Sequence, residues 1–418
     1  MKKSILSAAL LATPIISNAA GFALIEQSGS GMGNAYAGAA AVAEDASTIF
    51  FNPAGMTYIQ GTQVVGALHL IRPQGEFNDE GSVGGLGRPR GGEGGDAGDL
   101  NFVPNFYYKR DISDAVKFGL GVGAPFGLKT EYDNDWLGRF QGIKSDLKTV
   151  NINPALAFKV NDQLSLGFGI NAMWIQAELT SAVNLVPLGG TESKLKVKGD
   201  DWGFGYNFGA IYQVTQDTRF GLAFRSKVDQ KLRGDSDSPF TTLDANPNQR
   251  LNGDVTAETT LPETLSFSGF THLDDRWDLM GDVTWTRWSR FRELRVLREN
   301  GSTLTVTPQN WDNTMRYSIG LNYKYSDTLK LRAGVAYDEE AISNEFRTVR
   351  IPGNDRKWLT FGAGWQATPD TKLDIAYAHL FISDPEIDDN QVAIARGRVR
   401  GDYDASVDML SLQVTHNF

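Results

Sequence analysis

The amino-acid sequence predicts an all-β fold: a transmembrane antiparallel β-barrel of about 14 strands, plugged by a small N-terminal hatch domain. Three observations lead there. The chain opens with an export-type segment, it alternates with period two over stretches too long for a soluble sheet, and its tight turns alternate with long loops.

The N-terminus sets the compartment. Lys2 and Lys3 precede an apolar stretch over residues 5–16, and Ser17-Asn18-Ala19 offers small residues where a signal peptidase reads. Residues 1–19 therefore read as a signal peptide, with Ala20 opening the mature chain. No later run approaches the roughly 18 apolar residues of a membrane-crossing helix. With 22% charged residues and a mean hydropathy of −0.29, the chain resembles a soluble protein. A barrel strand, however, needs only every second residue to be apolar, so lumen face and loops dilute the average.

Composition excludes several classes. An exported chain without cysteine has neither a disulfide framework nor a thiolate site. A formal charge of −10 argues against nucleic acid, which selects a basic patch. His69, His272, His379 and His416 sit in no nucleophile motif and at no metal-ligand spacing, so no catalytic residue, metal or cofactor is expected.

The alternation is long. Leu164, Leu166, Phe168, Ile170, Ala172 and Trp174 interleave with small or polar residues, as do Val150 to Val160 and Leu329 to Tyr337. Several such runs reach ten residues or more, beyond the five or six usual in a soluble sheet and suited to a membrane crossing. Tight turns fall at 111–114, 161–163, 215–218, 273–276, 326–328 and 368–371. Longer loops rich in Gly, Pro and charge fall at 75–98, 133–144, 187–198 and 234–252, and near Asn300, Asn344 and Asp388. Short periplasmic turns and long outer loops are the usual barrel polarity. Six turns and seven loops make fourteen strands with both termini in the periplasm. The last strand alternates from Leu410 to a terminal Phe418, a segment similar to those that barrel assembly machinery recognises. The mature chain thus divides into a hatch over residues 20–61 and a barrel over 62–418.

Residues 20–61 break the pattern. Gly29, Gly31, Gly33, Gly38 and Ala39-Ala40-Ala41 are small and without sustained alternation. Fourteen strands approach the width at which a barrel holds a water-filled channel, so a compact Gly/Ala-rich segment suits a plug. The glycines do not form a phosphate loop, because Gly29-Ser30-Gly31-Met32-Gly33-Asn34 lacks the final glycine and follows no buried strand.

These residues also carry a resemblance. Ala20-Gly21-Phe22, residues 31–38 (GMGNAYAG), Asp45-Ala46 and Asn52-Pro53-Ala54 resemble the start of the FadL-type long-chain fatty acid and hydrocarbon transporters of the Gram-negative outer membrane. Similar stretches follow at 202–207, 224–226, 261–263, 285–291 and 351–358, so the resemblance spans nearly the whole mature chain. It implies a hatch-plugged fourteen-stranded barrel that acts as a monomer among lipid and lipopolysaccharide. It also implies a loop groove, an apolar pocket beside the hatch and a lateral exit at a kinked third strand. The ligand would be a long-chain fatty acid, or alternatively another hydrophobe such as an aromatic hydrocarbon.

The third strand carries Gly123-Ala124-Pro125-Phe126-Gly127. Pro125 cannot donate to a ladder, and the flanking glycines permit a bend or bulge. A break facing lipid needs a protein cover, and Asn52, held extended by Pro53 and followed by Ala54, is the expected one. The resemblance puts Phe22 in the ligand site. Trp285, Trp288, Phe291 and Leu294 on the ninth strand add apolar surface, although Trp285 and Trp288 have opposite parity, so one should face lipid. Arg295 is the expected partner of a carboxylate, among Arg287, Arg290, Arg292 and Arg298. Burying a CH₂ is worth ~0.8 kcal/mol, so roughly fifteen give on the order of 12 kcal/mol gross. A partly exposed Arg–carboxylate contact gives about 1 kcal/mol or less. The tail should therefore bind and the arginine orient: Arg295→Ala is expected to weaken uptake modestly, and Pro125 or Asn52 substitutions to abolish it.

Overall fold

The computed structural model describes residues 21–389 and 396–418; the signal peptide lies outside the described residues. Fourteen antiparallel strands close into a barrel. In chain order they are β1 (Gln63–Asp79), β2 (Asn101–Asp111), β3 (Val116–Gly123 and Gly127–Glu131), β4 (Lys144–Lys159), β5 (Leu164–Asn184), β6 (Glu192–Gln213) and β7 (Thr218–Arg225 and Val228–Asp237). There follow β8 (Gly253–Leu261 and Thr264–His272), β9 (Trp277–Thr286 and Glu293–Arg298), β10 (Thr303–Pro308 and Thr314–Lys324), β11 (Leu329–Asp338), β12 (Arg356–Gln366), β13 (Thr371–Ile382) and β14 (Val399–Asn417). Pairing of β1 with β14, from Gln63 opposite Asn417 to Asp79 opposite Gly401, closes the wall. Closure at this seam leaves neither β1 nor β14 as a free edge, as the bilayer requires.

Strand number and order agree with the turns read from the sequence, but strands run further than expected into three of the loops. Residues 75–79, 192–198 and 234–237 belong to β1, β6 and β7, and the connection near Asn300 is a tight turn at 299–302. On β7, Phe220 and Leu222 face outward near the periplasmic end, whereas the outward residues of the outer half are Asp229, Lys231 and Arg233. β7 to β10 are each broken, at 226–227, 262–263, 287–292 and 309–313.

Residues 28–60 lie inside the barrel as α1 (Gly29–Met32), α2 (Ala39–Val42), α3 (Thr48–Phe51) and a 3₁₀ turn (Pro53–Tyr58). Helices of four residues leave most of their carbonyls without internal partners. The wall supplies donors: Thr360 to Gly33 O at 3.2 Å, Arg316 to Ala35 O at 2.9 Å, Arg219 to Ala41 O at 2.6 Å and Arg225 to Phe50 O at 2.8 Å. Close approach requires glycine in the wall. A Cβ at Gly209 would stand 1.8 Å from Asn52 Oδ1, and one at Gly334 would stand 2.3 Å from the Asn34 carbonyl carbon. Glu44 adds an ionic anchor at the periplasmic end, 2.9 Å from Arg332, 2.6 Å from Lys372 and 3.3 Å from Lys330.

Candidate functional site

The sequence places Pro125 inside a wall strand, and the wall opens there. Three residues of β3 (124–126) stand against two of β4 (149–150), a one-residue bulge between the pairs Gly123–Asn151 and Gly127–Lys148. Below it β2 and β3 pair as far as Phe106–Val122. Above it Glu131 N donates to Ala97 O at 3.0 Å. Between these points Asn101–Asn105 and Gly127–Glu131 have no strand partner across the gap among the described residues. The result is a window in the barrel wall.

The window is covered from within, by residues 22–27. Gly127 N donates to Phe22 O at 3.0 Å, and Leu24 N donates to Pro125 O at 2.8 Å. Gln27 Nε2 donates to Ala124 O at 3.0 Å, while Asn105 Nδ2 donates to Glu26 O at 3.0 Å. Ala23 forms an antiparallel bridge with Phe126. The arm thus supplies the hydrogen bonds that a neighbouring wall strand would otherwise make.

Asn52, expected over the window, is elsewhere. Its Nδ2 donates to Ala40 O at 2.6 Å, Ala210 O at 3.1 Å and Leu222 O at 3.4 Å, against β6 and β7. Its Oδ1 caps the 3₁₀ turn through Ala54 N at 3.0 Å, with Pro53 at the first position of that turn. Pro53 and Ala54 pack on Gly167 of β5, where a Cβ would come within 2.5 Å of both. The correction is physical: the asparagine satisfies carbonyls of α2 and intact strands, and the window has its own cover.

Phe22 is the centre of an aromatic cage. Its ring lies 4.9 Å from Trp288, 5.6 Å from Trp311, 5.9 Å from Phe291 and 6.0 Å from Phe126, all edge-on. Such contacts exceed simple area burial in worth. The breaks in β9 and β10 turn Trp288, Phe291 and Trp311 inward. Glu263 fixes the β9 break, accepting from Arg287 at 3.1 Å and Arg290 at 2.7 Å. Trp285, still on the regular strand, shares the outward parity of Val283 and takes no part in the cage, as the parity argument required for one of the two tryptophans.

Two cavities meet at Phe22. An upper, strongly apolar one of about 100 Å³ is lined by Phe22, Leu128, Leu147, Ile175, Leu232, Phe291, Leu294 and Val296, with Arg350 at its edge. A lateral one of about 540 Å³ runs from Phe22 and Glu26 past Gly123, Ala124, Phe126 and Gly127 to Phe102 and Pro104 on the outer wall. Leu294 lines the upper cavity, but Arg295 does not. Arg295 is directed away from the upper cavity, half-exposed and paired with Glu293 at 2.6 Å, because the odd residues of this strand face out. The arginine facing the lateral cavity is Arg356. Sequence reasoning missed Arg356 and Trp311; the polar run Gln309-Asn310-Trp311-Asp312-Asn313, which interrupts alternation, was the available signal for the latter.

Comparison with known proteins fits this geometry. The chain is 34% identical to outer membrane protein P1 of Haemophilus influenzae over 424 residues, covering 91% of this chain and 90% of that protein. It is 28% identical to the long-chain fatty acid transport protein of Escherichia coli K12, covering 90% and 91% of the two chains. The crystal structure of a Pseudomonas aeruginosa FadL homologue superposes with a TM-score of 0.89 at 27% identity, covering 96% of this chain and 100% of that one. The Ralstonia pickettii toluene transporter TbuX shares the fold at a TM-score of 0.67 and 19% identity. Matching over residues 9–418, the chain belongs to the outer membrane protein transport family (OMPP1/FadL/TodX) and is a transporter of the bacterial outer membrane.

Proposed function

We propose that the protein takes up long-chain fatty acids, receiving the tail in the upper cavity and releasing the molecule sideways through the β3 window. One observation carries this reading: Phe22 separates an apolar chamber from a cavity that reaches the lipid-facing wall. Phe22 lines both, together with Leu128, Leu147 and Ile351. The lateral cavity, at about 540 Å³, extends from Phe22 to Phe102 and Pro104 and leaves room for an extended ligand.

Uptake of radiolabelled oleate by cells lacking their own transporter tests the reading. Expression of the protein should raise uptake well above background, and a large excess of toluene should compete poorly. Background oleate uptake at normal barrel levels, or efficient competition by toluene, would transfer the assignment to small hydrocarbons.

A further inference from the structure

Asn105 on β2, Asn151 and Asn153 on β4, and Gln27 are buried beside the break in β3. The side-chain oxygen of each has no hydrogen-bond donor among the described residues. Their orientations are fixed from the other end, because every amide nitrogen is engaged. Asn105 Nδ2 donates to Glu26 O at 3.0 Å, and Gln27 Nε2 to Leu24 O at 3.1 Å and Ala124 O at 3.0 Å. Asn151 Nδ2 donates to Asn171 Oδ1 at 3.0 Å, and Asn153 Nδ2 to Ile170 O at 2.9 Å and Asn207 Oδ1 at 3.0 Å. Turning any of these amides over would set oxygen against oxygen. A small cavity of about 10 Å³ is lined by Gln27, Asn151, Asn153, Tyr107, Gly121 and Gly123. A Cβ on Gly123 would stand 2.6 Å from Gln27 Oε1 and would overlap Asn105 Oδ1, so both oxygens close on the bare side of that glycine.

We propose that this pocket binds a single monovalent alkali cation, Na⁺ or K⁺, through the side-chain oxygens of Gln27, Asn105, Asn151 and Asn153. A space of this size holds about one water-sized occupant. A water molecule brings two protons and would leave two of the four oxygens unmet, and Tyr107 commits its own hydroxyl proton to Gln27 O at 2.9 Å. A hard cation takes oxygen ligands and satisfies all four at once. The charges nearby select its valence. No carboxylate lines the pocket among the described residues, and the Arg225 guanidinium donates to Asn171 Oδ1, the same oxygen that Asn151 engages. A divalent ion would be buried there without a counter-charge, which is far costlier than burying a single charge among oriented amide dipoles. The bound ion would tie β2 to β4 where the β2–β3 ladder ends and β3 bulges. Nothing in this assignment depends on which hydrophobe the barrel carries.

Thermal unfolding of the purified barrel in dodecyl maltoside, followed by circular dichroism, tests the site. The protein is first dialysed into choline chloride as the only salt. Replacing choline with NaCl or KCl at constant ionic strength should raise the melting temperature along a saturating curve, as a ligand of the folded state does. The two midpoints tell which ion fits better. Gly123→Ala places a methyl group among the oxygens and should abolish the response to both ions. Asn151→Asp supplies the missing counter-charge and should give a rise with CaCl₂ larger than that of wild type. Equal melting in all three salts, the result an ordered water would give, overturns the site, and so does a Gly123→Ala barrel that still responds to Na⁺ or K⁺. Should Gly123→Ala fail to fold, Asn151→Asp decides, and a response to CaCl₂ no larger than that of wild type overturns the proposal. None of these results touches the transport reading, which stands or falls on uptake.

Discussion

Residues 21–27 and residues 28–60 share one lumen and are held there by different physics. The arm is tied by neutral hydrogen bonds to a strand break, together with Arg356. The body is tied by wall arginines to its own carbonyls and by Glu44 to Arg332, Lys330 and Lys372. A neutral hydrogen bond contributes about 1 kcal/mol net. Around Glu44 the contacts are ionic, with Arg332 buried and Lys330 a third exposed. On the proposed route, release of the seven residues of the arm would open the wall while the body stays in place.

Locking the arm is the strongest way to break that contrast. The bonds from Leu24 N to Pro125 O and from Gly127 N to Phe22 O flank the Ala23–Phe126 bridge. The two residues thus form a non-hydrogen-bonded antiparallel pair, the closer of the two pair types and one suited to a disulfide. Oxidised Ala23→Cys/Phe126→Cys protein should lose oleate uptake to background and regain it on reduction. Uptake that survives oxidation would mean the ligand passes elsewhere, through the body.

A pH series should separate the two regions next, since their carboxyls shift in opposite directions. Burial raises Glu26 from 4.5 to about 7 against the opposing pull of Arg356 and Arg316. The seated arm therefore holds a proton that a released arm gives up. The stabilisation this gives the seated arm is fully present below about 4.5 and is lost as pH rises through about 7. For Glu44 burial also raises the pKa, but Arg332, Lys330 and Lys372 together outweigh it and hold the carboxyl well below 4.5. That stabilisation is present above 4.5 and is lost as pH falls through the depressed value. Nitroxide labels at Ala23 and at Phe51 should accordingly loosen at opposite ends of the range. Glu26→Gln should flatten the first response and Glu44→Gln the second. Two labels that mobilise together would show arm and body to be a single unit.

The barrel was legible in the sequence because alternation and turn chemistry are local: Leu164 to Trp174 declares a strand without reference to any other segment. Pro125 and Phe22 were also visible, one through its missing N–H and one through a family resemblance. What could not be read were the partners of remote residues. Asn52 was assigned to the wrong wall because nothing local states that Ala40, Ala210 and Leu222 converge on it. The cage of Trp288 and Trp311 depends on breaks in adjacent strands, and Arg356 matters only because Gly21, over three hundred residues earlier, arrives beside it.

Arg295 should give the smallest effect, and for that reason it delimits the comparison. Sequence reasoning expected Arg295→Ala to weaken uptake modestly, as loss of a headgroup contact. Its side chain instead stands on the outer face of β9, with Glu293 and Thr303 as partners, and lines neither cavity. A solvent-exposed pair of this kind contributes little to stability, and less as salt rises. Oleate uptake by Arg295→Ala cells at matched barrel levels should be indistinguishable from wild type at both low and high ionic strength. A loss confined to low salt would mean that the charged outer face captures the anion before it enters, adding a step in which neither arm nor body takes part.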